Sequence, residues 1–489
     1  MTDNFNFKRA LGIAYLWNML GKFVVRGLGI ISTLIIVRLL EPEDFGLVAI
    51  AMLIIGLGNV LANIGVYRYL ILKPDICDND LNTAWTINII LRSIIVAGLL
   101  LLAPILANLW GDQDITLVIR LLALVELISM FKNVGMITFE KAVSFKQSAK
   151  LGVIAKFGSF TVTVISAFML RNYMALVLGA ITNAAFSTLF SYYISKYRPK
   201  FSLKIDRAMF SVSNHLFLRN ILGYARSQMD LLIVGQFFGS SAAGKFNIAR
   251  TFAIMPQTDI ISPAMQPFFS ASSKQSRDYS LVEMKFYQML FLSFSLAFPA
   301  IIGLYILSEP FTLVVLGEKW IDVTPFIGML GFLMLPFITQ PLLFNLYDFK
   351  GKSGIGILND LFGIFAIISA VMWLQPVDLT TFVETRIFVA FLSLLFMVWL
   401  ARMLIHLSWL NVLLIVLVVS IPTFTMFAAL KALMPVFLNI NPTVVLLSVG
   451  IIGLVIYVLM FLLIASLCKR IKSHFLHFLY PDLIYKYTY

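Results

Sequence analysis

The chain has 489 residues, 60% of them hydrophobic and only 12% charged, with a mean hydropathy of +0.93. Soluble domains carry roughly 45–50% apolar and about 25% charged residues, so a secreted enzyme, a cytosolic enzyme and a nucleic-acid-binding domain are all excluded. The net charge of +13 reads as topological, because the cytoplasmic loops of membrane proteins collect Lys and Arg.

Apolar runs of about 20 residues between charged and turn residues mark membrane helices. In chain order they predict spans at 11–40, 46–71, 83–109, 114–137, 147–170, 173–195, 210–238, 243–268, 282–307, 323–347, 355–374, 381–402, 410–432 and 442–467. The expected fold class is an all-α polytopic membrane protein with about 14 transmembrane helices. No small-residue cleavage site follows the first apolar run, so it is expected to stay as a span. With the N-terminus placed inside, the inner segments gather most of the cations, among them Lys73, Lys141, Lys146, Lys150, Lys196, Arg198, Lys200 and Lys469. The outer segments hold only Arg38, Arg171, Lys245, Lys319 and Lys431. That asymmetry predicts cytoplasmic termini.

Outer segments are short, the longest at 308–322, and give no platform for catalytic groups, so an enzyme is not expected. Cys77 and Cys468 are too few for a disulfide framework or a metal cluster. His474 and His477 lie one turn apart in a basic, aromatic tail that is expected to lie on the inner leaflet. Gly351-Lys352-Ser353 lacks the upstream glycine of a phosphate loop, Leu346 standing in its place. No cofactor or metal is expected.

An internal repeat organises the spans. Ile35-Ile36-Val37-Arg38-Leu39-Leu40-Glu41-Pro42-Glu43-Asp44-Phe45-Gly46 ends the first span and opens the second. At an offset of 198 residues (233 against 35), Ile233-Val234-Gly235-Gln236-Phe237-Phe238-Gly239-Ser240-Ser241-Ala242-Ala243-Gly244 does the same for the seventh and eighth. Each is an apolar helix end, a tight turn and a glycine entering the next helix. The repeat predicts an N-lobe of six helices (1–195), a basic cytoplasmic linker (196–208), a C-lobe of six helices (209–402), two further helices (403–468) and a cytoplasmic tail (469–489).

The segment Arg38-Leu39-Leu40-Glu41-Pro42-Glu43-Asp44-Phe45-Gly46 resembles the signature of bacterial polysaccharide-transport flippases, a branch of the multidrug/oligosaccharidyl-lipid/polysaccharide exporter superfamily. Asn63-Ile64-Gly65, Asp230-Leu231-Leu232-Ile233-Val234-Gly235 and Gly244 fit it too. The resemblance implies a V-shaped pair of helical bundles in the bacterial inner membrane, flipping an undecaprenyl-diphosphate-linked oligosaccharide by alternating access. Membrane lipids and glycan polymerase or assembly proteins are the partners it implies.

Charged residues inside the spans point the same way. An ionised side chain near the bilayer centre costs about 2.5–3.5 kcal/mol on insertion scales and usually faces a cavity or a partner. Lys22 and Arg26 lie one turn apart on one face, about 17–23 Å along a helix that begins near residue 11, too deep for easy snorkelling. Arg219, Arg226 and Asp230 share a face of the seventh span, with His215 one turn before Arg219, and Arg250 lies in the eighth. Lys22, Arg26, Arg219, Arg226 and Arg250 are the candidate diphosphate-binding residues, since Arg pairs bidentately with phosphate and stays protonated. Arg92 and Arg120 are weaker candidates, and Arg68 and Lys132 read as interfacial. Glu126 and Asp230 are candidates for ion or proton coupling, or else members of ion pairs such as Asp230 with Arg226. Pro256, Pro263, Pro267, Pro336 and Pro341 are expected to kink their helices.

The leading reading is a lipid-linked oligosaccharide flippase for O-antigen, exopolysaccharide or capsule. The alternatives are a cation-coupled multidrug exporter of the same superfamily, which the basic cavity disfavours, and a polysaccharide polymerase or ligase, which would need a large outer loop.

Overall fold

A computed structural model describes residues 2–62, 66–142, 144–202, 204, 214–265, 279–352, 354–405, 407–437 and 440–470. Among them all regular structure is helical. The helices are α1 (Thr2–Leu39), α2 (Pro42–Ala62), α3 (Val66–Leu72), α4 (Asp78–Asn108), α5 (Asp114–Ser129), α6 (Met136–Lys141), α7 (Phe145–Leu170), α8 (Met174–Ile194) and α9 (Asn214–Ala253). After a stretch outside the described residues come α10 (Tyr279–Ile306), α11 (Ser308–Phe311), α12 (Thr324–Leu330), α13 (Met334–Phe349), α14 (Gly354–Leu374), α15 (Leu379–Ile405), α16 (Trp409–Leu433) and α17 (Pro442–Arg470). Asn63-Ile64-Gly65, Pro267 and the tail with His474 and His477 lie outside the described residues, as do the side chains of Arg68, His215 and Cys468.

Among the described residues eleven helices are long and apolar enough to cross a membrane, and the chain is an all-α polytopic membrane protein. They match eleven of the predicted spans. The other three are the fourth, which is α5 at 16 residues, and the seventh and eighth, which run together in α9 as far as Ala253, with a π turn (Gln257–Ile261) following within the eighth. Arg120 and Glu126 interrupt the first of these, and Arg219, Arg226, Asp230, Lys245 and Arg250 the others. Apart from Lys245, these are the charges that marked the spans as candidate functional elements, and they lower the hydropathy. Gly239, at φ 84 and ψ 179, breaks α9 into two arms; a side chain would be strained there.

Two sequence expectations are corrected. The segment 308–322, expected as an outer loop, is not a loop. It folds as α11, a π turn (Thr312–Leu316) and a 3₁₀ helix (Glu318–Val323), with Trp320 fully buried. Pro336 is not in a helix interior either. A 3₁₀ turn, Gly331–Leu333, divides the tenth span, and Pro336 sits in the first turn of α13, where its missing N–H costs no bond. Pro341 does lie within α13, and Pro104, Pro299 and Pro422 lie within α4, α10 and α16.

The chain divides into two compact units, 1–245 and 246–489. In the first, α1 lies along α7, α7 along α8, and α5 packs on α2, α4 and α8. The described part of the basic linker is tied to this unit. Asn133 Nδ2 donates to the Tyr197 carbonyl at 2.7 Å, and the Ser202 amide donates to Thr86 Oγ1 at 2.9 Å. Burial pushes the Tyr197 phenol up to about 12, and it donates to Asn82 Oδ1 at 2.6 Å. In the second unit α10 packs on α13 and α16, α14 on α15, and α16 on α17. Its core holds Phe286, Tyr287, Leu290, Leu343, Leu346 and Val419. Two buried tyrosine hydroxyls there are satisfied, as an interior without water favours. Tyr287 Oη donates to Glu283 Oε1 at 2.9 Å and accepts from the Ser408 amide at 3.0 Å, and Tyr347 Oη donates to the Met397 carbonyl at 2.7 Å.

The first repeat copy owes its shape to local chemistry. Pro42 opens α2 and Glu43 and Asp44 fill its first turn, where Pro and carboxylates are both favoured. Asp44 accepts from the Glu41 amide at 3.0 Å through Oδ2 and from the Tyr173 amide at 2.8 Å through Oδ1. The two copies then touch each other reciprocally. A Cβ on Gly46 would stand 1.8 Å from the Ser240 carbonyl oxygen, and one on Gly244 would stand 1.8 Å from that of Pro42. Residues 42 and 46 correspond to 240 and 244 under the offset of 198. The contact is thus the kind a two-fold relation between the copies produces, and it closes only because both glycines lack a side chain.

Candidate functional site

The first group of cations stands on α1 and α7. Gly21 of α1 packs against Ala149 of α7, and Val25 reaches Gly152. Lys22 and Arg26 each follow one of these contact positions, and so lie about a third of a turn off that seam, where both side chains are exposed. Both belong to the apolar stretch Trp17–Leu39. Lys156 of α7 joins them. Its Nζ lies 3.7 Å from where a Cβ of Gly29 would be, and it is within electrostatic range of Arg26. Sequence reading missed Lys156, although a lysine well inside the apolar run Phe145–Leu170 was a legible signal.

Arg219, Arg226 and Asp230 are on the N-terminal arm of α9. Tyr224 on this arm donates to the Leu53 carbonyl of α2 at 2.6 Å, and Asn220, Gly223, Tyr224 and Ser227 form a polar recess with Asn59 and Val60 of α2. Arg219 and Arg226 precede two of these positions by one residue each and are half-buried, while Asp230 is 1% exposed. Arg250 belongs to the second unit, with its guanidinium 5.9 Å from the ring centroid of Phe337 on α13.

Glu126 is 3% exposed and forms an ion pair with Arg92 of α4. Asn59 Nδ2 donates to its Oε1 at 2.7 Å, Arg92 Nη1 donates to Asn59 Oδ1 at 3.0 Å, and Arg92 Nε donates to Asn88 Oδ1 at 3.1 Å. Of the two readings of Glu126, this geometry is the ion pair, and it also accounts for Arg92. Next to this network opens a cavity of about 460 Å³ between α2, α3, α4 and α6. Arg120 is exposed on α5 and Lys132 is exposed beyond its end, Lys132 lining the cavity.

Three further buried charges went unread in the sequence: Asp80 of α4, at 6% exposure and paired with Lys73, Asp360 of α14, at 3% beside Asn359, and Arg386 of α15, at 8%. Each lies within the first two turns of an apolar helix, where a charge reads as interfacial by position alone. Among the described residues no group of three His, Cys, Asp or Glu could hold a metal ion.

The profile of the family described as "Polysaccharide biosynthesis protein" matches residues 35–325, beginning within the first repeat copy. The chain belongs to this family. It is 25% identical over 361 residues to the lipopolysaccharide biosynthesis protein WzxC of Escherichia coli (strain K12), covering 73% of each chain. It is 23% identical over 317 residues to the succinoglycan biosynthesis transport protein ExoT of Rhizobium meliloti (strain 1021), covering 64% of each. Among solved structures it is similar to the lipid II flippase MurJ in an inward closed conformation, with a TM-score of 0.70 at 14% identity, covering 93% of this chain and 99% of that one. At that identity the likeness is one of fold.

Proposed function

We propose that this protein flips a polyprenyl-diphosphate-linked oligosaccharide across the bacterial cytoplasmic membrane, with both termini on the cytoplasmic side. The observation that carries the reading is the trio Lys22, Arg26 and Lys156 held within apolar spans of α1 and α7. A diphosphate leaving water for a low-dielectric path loses several kcal/mol of solvation per charge, and cations fixed along that path offset the loss. Arg219, Arg226 and Arg250 are assigned to the same task by the same chemistry. No covalent step is needed: the head group crosses while the polyprenyl tail stays in lipid, and the two lobes expose the path to one side at a time.

Relatives named for lipopolysaccharide biosynthesis and succinoglycan transport support the substrate class, and the fold shared with a lipid II flippase supports the step. A cation-exporting reading would want available carboxylates, whereas Glu126 is taken up by Arg92 and Asn59. A polymerase or ligase would want an open outer loop, whereas 308–323 is a folded cap closed by Trp320.

The test is made in cells. Deleting the gene should make a diphosphate-linked oligosaccharide accumulate on the cytoplasmic side. The wild-type protein should clear it, and a Lys22→Ala/Arg26→Ala variant of equal abundance should not. Clearance by that variant would remove these residues from the path, and the absence of any accumulation would remove the function.

A further inference from the structure

The cavity of the first unit differs in chemistry from the cationic face of α1 and α7. Charges of both signs line it, Arg92, Lys132 and Glu140, and Arg92 is neutralised from behind the wall by Glu126. Two of the amide side chains along it, Asn59 and Asn88, are held by bonds to Arg92. Tyr67 donates to Glu140 Oε2, and Ser148 donates to its Oε1 at 3.3 Å, so the carboxylate is fixed in place with lone pairs to spare. The wall also includes the ring of Trp85, 8% exposed and held against Phe201 at 5.0 Å between ring centroids. Arg92 Nη2 enters none of the bonds that fix the guanidinium.

A phosphate needs an excess of positive charge; this cavity offers donors and acceptors in balance around an aromatic wall. That combination suits a polyhydroxylated ring, whose hydroxyls both give and accept while one face is apolar. At about 460 Å³ the cavity falls in the range of small-molecule sites, roughly 300–1,000 Å³. It lies beside Lys73 and Lys141, whose Nζ donates to the Lys73 carbonyl, and so at the end of the bundle that the charge asymmetry places inside. We propose that this cavity is a carbohydrate subsite, in which an uncharged sugar of the lipid-linked substrate hydrogen-bonds to Lys132, Glu140 and Tyr67 and packs on Trp85. The inference rests on the flippase reading. It assigns the diphosphate and the sugar to separate places in the first unit.

The experiment measures binding of two lipids to the full-length protein in nanodiscs. One is undecaprenyl diphosphate; the other is the diphosphate-linked oligosaccharide extracted from cells that express this chain. The wild type should bind the second more tightly by about tenfold, the worth of one hydrogen bond to a charged group. Glu140→Gln, which keeps the shape and the Tyr67 contact, and Lys132→Met should each erase most of that ratio while leaving affinity for the bare diphosphate unchanged. Lys22→Ala/Arg26→Ala should weaken both lipids alike and preserve the ratio. A ratio that survives in monodisperse Glu140→Gln and Lys132→Met overturns the subsite, as does a wild type that does not distinguish the lipids. Failure of the wild type to bind either lipid overturns the flippase reading instead.

Discussion

The reciprocal contact of Gly46 and Gly244 can be tested by adding one methyl group. Alanine at 46 would put its Cβ 1.8 Å from the Ser240 carbonyl oxygen and 2.6 Å from the carbonyl carbon, where ordinary contact begins at 3.4 Å. Both obstacles are backbone, so no rotamer relieves them, and the two helix starts must part by well over an ångström. Overpacking of this kind costs about 1–3 kcal/mol. Gly244→Ala meets the Pro42 carbonyl oxygen in the same way and should cost a similar amount. Once either methyl has parted the crossing, the second enters a gap already open. The double variant should therefore fall well short of the sum of the two, a coupling expected only of residues that share one contact. Gly98, which has nothing within 4 Å of its Cβ position, is the control, and Gly98→Ala should hold or raise stability. The assay is thermal unfolding of the detergent-solubilised protein followed by size exclusion. The single variants should melt roughly a few degrees below wild type. A wild-type midpoint for Gly46→Ala, or strict additivity in the double variant, would refute the reciprocal contact.

The ion pair in the first unit gives a second prediction. Glu126→Gln leaves Arg92 in a site built for a charge pair and should destabilise by about 3–5 kcal/mol, whereas Arg92→Met/Glu126→Met should cost much less; equal losses by thermal unfolding would mean that the two residues act separately. A third concerns the start of α15. Asp378 accepts from the Thr381 amide at 2.8 Å, and that backbone bond, with the Thr381 hydroxyl, holds its carboxyl below the usual range. A depressed pKa stabilises above the unfolded value and is lost as pH falls through the folded one. In hydrogen exchange the Thr380 and Thr381 amides should open faster in Asp378→Ala than in wild type at neutral pH. The difference should vanish in acid, below the folded pKa, and a difference that persists there would contradict the cap.

The fold was largely legible because bilayer thickness imposes one dominant length on a sequence. The eleven spans found as expected are those in which nothing competes with hydropathy. The three that differ, at α5 and the two arms of α9, carry Glu126, Asp230 and the arginines, so composition there answers to the site as well as to the membrane. The repeat could be read from Pro42 to Gly46 and again from Ser240 to Gly244, but sequence gave no sign that the copies touch, since glycine spacing does not encode a partner. The candidate site was legible where charge stood deep in an apolar run, as with Lys22 and Arg26. It was not legible where pairing decides the role. Arg92 and Glu126 lie on different helices, and only packing shows that they neutralise each other. Trp320 was hidden for a related reason: a polar-looking outer segment can still be a folded cap when one large side chain finds a pocket.

The most direct test of the central claim is transbilayer movement in proteoliposomes containing the purified chain and a fluorescent undecaprenyl-diphosphate oligosaccharide, read as the fraction of label reached by an external quencher. The account predicts rapid exchange between leaflets with the wild type. It predicts exchange near the protein-free rate with Lys22→Ala/Arg26→Ala/Lys156→Ala reconstituted at equal density. Exchange by the wild type that the triple variant retains in full, or a wild type no faster than protein-free vesicles, would contradict it.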